Sequence, residues 1–227
     1  MNTNDRGFTL VELMIAMAVG MIVLGAVYAL FTVQSKHLAN QELLTEMHQN
    51  ARIALEMMVQ EISMAGYNQT TNPATIPVPR CTNALVAAGT PCVGITNAAV
   101  NTISFATDLN GNGDTTAGTA NPNENIVYDR YYSTTSPAGV YSLGRASNGS
   151  KQPVVEYVKS LKFVYYYDGT IQPTTPDNLA NIRRVKITIV TRTAKEDPSY
   201  TDATYGDHYR YYTLSSFAFP RNLALGN

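Results

Sequence analysis

The 19 residues from Leu13 to Phe31 carry no charge, and most are large and apolar. As a helix rising ~1.5 Å per residue they would span roughly 28 Å, about the hydrocarbon thickness of a bilayer. Such a stretch needs lipid or the interior of an assembly around it. One carboxylate, Glu12, stands directly in front of it. A lone carboxylate held in lipid costs about 3 kcal/mol or more. An ordinary secretory signal peptide would carry a basic leader, a shorter apolar core and a small-residue cleavage site after that core. The leader here, MNTNDRG, sets one Arg beside one Asp, and no compelling cleavage site follows the apolar stretch. A plain single-pass anchor accounts for the length and leaves Glu12 unexplained.

The segment RGFTLVELMIA, Arg6 to Ala16, resembles the class III signal of type IV prepilins and type II secretion pseudopilins. The resemblance implies that a dedicated membrane peptidase cuts between Gly7 and Phe8 on the cytoplasmic side. The new amine of Phe8 is then N-methylated, and the apolar segment is kept. Glu12 becomes the fifth residue of the mature chain, where that family has its glutamate. In a filament core without lipid or much water, a buried carboxylate needs a partner. The Phe8 amine of a neighbouring subunit would supply one and fix axial register. Before assembly, Glu12 would sit near the hydrated membrane interface. One departure from many major pilins is the absence of proline between Gly25 and Ala29.

Helical periodicity continues beyond the apolar stretch. Leu44, Met47, Ala51, Ala54, Met58, Ile62 and Ala65 recur every three or four positions, which defines one face. Glu42, Glu46, Gln49, Arg52, Glu56 and Gln60 lie largely elsewhere. No proline interrupts Phe8 to Gly66, and Gly66 suits a helix C-cap. The region Tyr67 to Asn101 reads as loops. Strands are expected at Thr102–Thr107, Asn125–Tyr132, Gly139–Leu143, Val154–Tyr167, Ile182–Thr191 and Tyr209–Phe219. Val185, Ile187 and Ile189 share one face of their strand, opposite Arg184, Lys186 and Thr188. A long helix followed by consecutive strands predicts an α+β fold, the helix packed on a C-terminal antiparallel β-sheet domain. The expected divisions are a removed leader (1–7), a membrane or filament-core helix (8–31), an amphipathic continuation (32–66) and a β-rich globular domain (67–227). VEYVKSLKFVYYYDG, IRRVKITIVTRT and FAFPRNL resemble the PilW-type minor pilins, which are related in architecture to J-type minor pseudopilins.

Cys81 and Cys92 flank a loop with Pro and Gly. A single anchor with no further span places the remainder outside the cytoplasm, where disulfides persist. A Cys81–Cys92 disulfide is therefore expected, against two unpaired thiols. The loop DLNGNGDTTAGT places Asp108, Asn110, Asn112 and Asp114 at alternate positions, with Gly113 at the sharp turn. This matches the start of an EF-hand calcium loop. Position twelve is Thr119 rather than the bidentate Glu, and Glu124 could substitute only if the loop folds back. The competing reading is a hairpin loop whose side chains cap their own backbone. Apart from this candidate Ca2+ loop, no cofactor is expected.

Catalysis has little support. His37, His48 and His208 are far apart in sequence, and no nucleophile motif or phosphate-cradling loop occurs. A formal net charge of −1 gives no global attraction for polyanions. Arg183, Arg184, Lys186, Arg192 and Lys195 form a local basic stretch near tyrosines, which in other settings holds single strands. A solvated strand face is the favoured account of it, and neither a nucleic-acid nor a small-molecule partner is expected. The resemblance therefore implies a minor pilin that primes or completes a type IV pilus, anchored in the bacterial inner membrane with its domain in the periplasm. Its partners would be other minor and major pilins, the prepilin peptidase and the inner-membrane assembly platform, with membrane lipid before assembly. A J-type pseudopilin of a type II secretion system is the alternative, and a DNA- or surface-binding pilus subunit a third reading.

Overall fold

A computed structural model describes residues 8–69, 78–116, 121, 123–134, 139–147, 149–172 and 176–224. The chain forms two compact units, divided between Leu44 and Thr45. Helix α1, Leu10–Ser63, begins in the first unit and supplies the opening of the second. In the first unit every large apolar side chain from Phe8 to Val33 is exposed. They occur on all sides of the helix, a pattern that requires an apolar surrounding on every face. This is the one helix among the described residues long and apolar enough to cross a membrane.

Within the second unit, α1 becomes one-sided. Met47, Ala51, Ala54, Leu55, Met58 and Ile62 are buried. The helix stops three residues short of the expected Gly66. Its last turn closes through i→i−3 bonds, Met64 N to Glu61 O and Ala65 N to Ile62 O, which satisfy terminal carbonyls. Gly66 follows at φ +81, a conformation natural only to glycine. Its amide donates to Ala106 O at 3.2 Å. Gly66 thus ends the helical run and turns the chain into the sheet.

The stretch expected to be loops holds two regular elements. Helix α2, Asn83–Ala87, is started by the Thr82 side chain, which accepts from Leu85 N. Strand β1, Gly94–Ala98, follows. The next strands are β2 (Thr102–Ala106), β3 (Asn125–Ser133), β4 (Val140–Ser147) and β5 (Ser150–Val155). They continue as β6 (Val158–Tyr167), β7 (Thr170–Ile171), β8 (Arg184–Arg192) and β9 (Tyr211–Ala218), before the short helix α3 (Arg221–Ala224). They form two antiparallel sheets rather than one, ordered β1-β2-β3-β4-β5 and β7-β6-β8-β9. The expected strand Val154–Tyr167 is broken in two, because Tyr157 lies at φ 58 and cannot continue a ladder. Pro153 sits in β5, at a sheet edge where its missing amide is tolerated.

Alternation along the strands decides which side chains meet the helix. Ile103, Phe105, Tyr128 and Leu143 come from the first sheet. Leu161, Phe163, Tyr165, Val185, Ile187 and Ile189 come from the second. All join one core with Ala51, Ala54, Met58 and Ile62. Tyr167 packs at the margin of that core. Ile187 is fully buried and pairs Phe163 and Ser216 across β8. Ile187→Ala should lower unfolding stability by about 2–5 kcal/mol, while Ile171→Ala, at an exposed position, should change it by less than about 0.5 kcal/mol. Urea unfolding of the detergent-solubilised chain, followed by circular dichroism, measures both.

Candidate functional site

Glu12 lies in the first turn of α1, and its carboxylate is engaged within its own helix. Oε2 accepts from Thr9 N at 2.9 Å and from Thr9 Oγ1 at 2.9 Å. Thr9 Oγ1 in turn accepts from Glu12 N at 3.3 Å. This reciprocal pattern is a capping box, in which a Thr and a Glu three residues on satisfy each other's amides. The spacing T-x-x-E was present in the sequence and its capping role was missed. Phe8 is 90% exposed. Gly7, the expected cleavage position, lies outside the described residues.

Cys81 and Cys92 form a disulfide, with Cα atoms 4.9 Å apart. Backbone bonds run alongside it, Cys81 N to Val93 O and Val93 N to Pro79 O. The covalent link also anchors the acidic loop. Thr115 Oγ1 donates to Cys92 O at 3.0 Å and accepts from Cys92 N at 3.3 Å.

Between β2 and β3 the chain makes a long excursion that returns on itself. Asp108 is buried and caps the turn. Its Oδ1 accepts from Gly111 N and its Oδ2 from Gly113 N, at 2.7 and 3.2 Å. Asn110, Asn112 and Asp114 each accept the amide two residues on. The Asn110 and Asn112 side-chain amides both donate to Asn121 Oδ1. Glu124 does fold back: its Oε1 accepts from Leu109 N and Asn110 N at 2.9 and 3.0 Å. Glu124 is 1% exposed, and its Oε2 is buried without a hydrogen-bond partner among the described residues. Desolvation, and to a lesser extent the charges of Asp108 and Asp114, raise the Glu124 carboxyl above its usual range against the pull of those two amides. Asp114 is held below its usual range by the Thr116 hydroxyl and amide. Thr119 lies outside the described residues. Among the described residues, no three His, Cys, Asp or Glu side chains form a set that could hold a metal ion.

One polar cluster was not anticipated. Glu61, on α1, accepts from Tyr128 Oη at 2.6 Å and from Arg145 Nε at 3.0 Å. Arg145 also donates to Asn123 Oδ1. Together with Met57, Met64, Phe105 and Ile126, Glu61 and Arg145 line a cleft of about 360 Å³. Glu61 neighbours Ile62 at the edge of the apolar stripe, and periodicity alone does not separate an edge carboxylate from a solvated one. Tyr128 has its hydroxyl pushed above the ordinary tyrosine value, first by burial and then by the Glu61 carboxylate.

The basic stretch is largely engaged within the domain. Arg184 stacks over Tyr166 at 4.3 Å and Phe217 at 4.8 Å. Arg192 lies over Tyr209 at 3.9 Å, and Arg183 Nη1 donates to Ala180 O at 2.6 Å. His48 packs on Tyr212 and His208 contacts Tyr200 O, and His37 belongs to the other compact unit.

Residues 2–28 match the family model of the prokaryotic N-terminal methylation motif. A comparison with curated proteins returns no match. Among solved structures, a type IV-like pilin from Thermus thermophilus aligns over 78% of this chain and 97% of its own, with 11% sequence identity and a TM-score of 0.46. The segment matching the methylation motif thus runs into the apolar half of α1.

Tyr128 supplies a test of the Glu61 cluster. In the unfolded chain its hydroxyl ionises near the ordinary value of 10.0. In the folded chain ionisation is shifted higher, so its contribution is complete below that pH and is lost as pH rises through and beyond it. Tyr165, raised by burial, acts in the same direction. The urea midpoint should therefore fall steadily above about pH 10. Tyr128→Phe should flatten that fall without abolishing it, as measured by urea titrations across an alkaline pH series.

Proposed function

We propose that this pilin-like chain is a minor pilin, a structural subunit that primes or completes the assembly of a type IV pilus and has no enzymatic role. The observation that carries the proposal is the methylation signal at the head of a helix whose apolar side chains face outward on all sides. A catalytic domain needing only an anchor would have no use for a cytoplasmic-side cut that retains the apolar segment. A subunit destined for a helical filament core would. The prepilin peptidase would cut between Gly7 and Phe8, and methylation of Phe8 would follow. The chain would wait in the inner membrane with its domain in the periplasm, a placement the disulfide supports. Extraction by the assembly platform would exchange lipid for neighbouring pilin helices.

Glu12 has two tasks in this account. Within the subunit it caps the first turn, and within the filament it would meet the Phe8 amine of another subunit. The amine exists only after cleavage, so the second contact cannot form prematurely.

Two experiments test the reading. Deletion of the gene in its native host should abolish surface pili and twitching while protein secretion continues. Loss of exoprotein secretion with pili intact would assign the chain instead to a type II secretion pseudopilus, as a J-type subunit. Glu12→Gln and Thr9→Ala separate the two tasks of Glu12. Gln preserves a capping box but carries no charge. Glu12→Gln should be processed normally and recovered from sheared filaments at least about tenfold less than wild type, the loss expected of an unpaired buried amine. Thr9→Ala should cost about 1 kcal/mol of capping and still be incorporated. The reverse outcome would reduce Glu12 to a helix cap.

A further inference from the structure

We propose that Asp108, Asn110, Asn112 and Asp114, completed by Glu124, form a calcium site. The alternating side chains alone would describe a loop that caps itself. Glu124 is the independent observation. Its carboxylate is brought to the beginning of the loop by two amides, from Leu109 and Asn110, which occupy only Oε1. Its other oxygen is buried and has no partner among the described residues. An oxygen in that condition is normally satisfied, and a carboxylate oxygen offers two lone pairs to a donor or a cation.

The charge balance points the same way. Asp108, Asp114 and Glu124 bring three carboxylates into one loop. No Lys or Arg occurs between Arg80 and Arg130. None of the three carboxylates takes part in an ion pair among the described residues. The carboxylates are insufficient by themselves to hold an ion. A cation here must also use side-chain amide oxygens, and main-chain carbonyls or water. Six to eight mixed oxygens in a flexible loop suit calcium, whereas magnesium demands a tighter octahedron and soft metals prefer nitrogen and sulfur.

The amides already bound to Asp108 do not compete with this use. Gly111 N and Gly113 N take one lone pair from each carboxylate oxygen, leaving one on each. They pre-orient the carboxylate as they would in an occupied loop. The Thr115–Cys92 bonds tie the loop's far side to the disulfide. Asp108 N donates to Tyr67 O, and Gln69 N to Asp108 O, which fixes its near side. The site thus rests on two anchored ends, and Glu124 closes it from the start of β3.

Calorimetry on the full-length chain in detergent, with CaCl2 as titrant, tests the site whether or not the pilus assignment holds. A single saturable event with a dissociation constant on the order of 10⁻⁴–10⁻³ M is expected, the range of extracellular calcium modules. MgCl2 should give no comparable event. Glu124→Gln, which keeps the Oε1 acceptor, and Asp114→Asn, at the loop's open edge, should each weaken calcium at least about tenfold. Their melting temperatures in EDTA should stay close to wild type, so lost binding would not reflect lost folding. The proposal is overturned by the absence of saturable heat up to about 10 mM calcium, ten times the weakest affinity expected. It is equally overturned by equal responses to magnesium and calcium, or by binding unchanged in both variants.

Discussion

The buried face of α1 from Met47 to Ile62 is the surface on which both sheets depend. The two sheets share no ladder of their own. They meet through a few cross-contacts, such as Phe163 N to Val100 O and Tyr165 Oη to Ala99 O, and through the helix. Ala51, Ala54, Met58 and Ile62 are all fully buried on this face. Polar contacts secure the two ends of this face. Thr191, on β8, donates to Met47 O at 3.0 Å. Glu61 is held by Tyr128 on β3 and Arg145 on β4. A shift of the helix by one turn would leave Glu61 without either partner, a cost added to the loss of the apolar contacts.

That dependence explains why one continuous helix carries two amphipathic patterns. Up to Val33 its large apolar side chains face outward on every side, and from Met47 onward only one stripe is buried. The same backbone hydrogen bonding serves both, since helical amides are satisfied internally whatever surrounds them. The surroundings must therefore be read from side chains. A change from all-round to one-sided hydrophobicity marks the passage from an apolar environment to a water-exposed domain surface.

Most of this was legible in the sequence where burial is periodic. The stripe from Met47 to Ile62 and the alternation of Val185, Ile187 and Ile189 reported the core faces directly, because every second or every third-to-fourth position faces the same neighbour. What remained hidden depended on partners distant in the chain. Glu61 is one position from the stripe, and only the register of β3 with β4, Tyr128 opposite Arg145, gives it two partners. The break at Tyr157 follows from a backbone angle that no local signal announces. Helix α2 and strand β1 are short and lie in a stretch rich in Pro, Thr and Ala, where local preference is weak and tertiary contact decides. The capping role of Thr9 is the opposite case. Its spacing to Glu12 was visible, but attention to the carboxylate's charge obscured its simpler local use.

The return of Glu124 shows how topology creates chemistry that spacing cannot reveal. Glu124 stands sixteen positions after Asp108, outside any regular loop motif. It is brought back because Ala106 pairs with Asn125 at the end of the β2–β3 ladder, and Thr107 N then donates to Glu124 O at 2.8 Å. The hairpin register therefore fixes where the carboxylate enters the loop, independently of the residues between. Connections this long within a compact domain are uncommon unless they serve a purpose or are held by their own packing. Here the holding bonds are mostly between side-chain oxygens and backbone amides, which satisfy hydrogen bonding but leave negative charge uncompensated. At Glu124 the imbalance is costly: desolvation, and after it the charges of Asp108 and Asp114, raise its carboxyl above the usual range. Capping alone accounts for the Asp108 charge, because two amides are accepted on two separate oxygens and an amide side chain offers only one. It does not account for Glu124, whose second oxygen accepts nothing among the described residues. That unused oxygen is the feature the proposed cation would satisfy, and a self-capped turn would not.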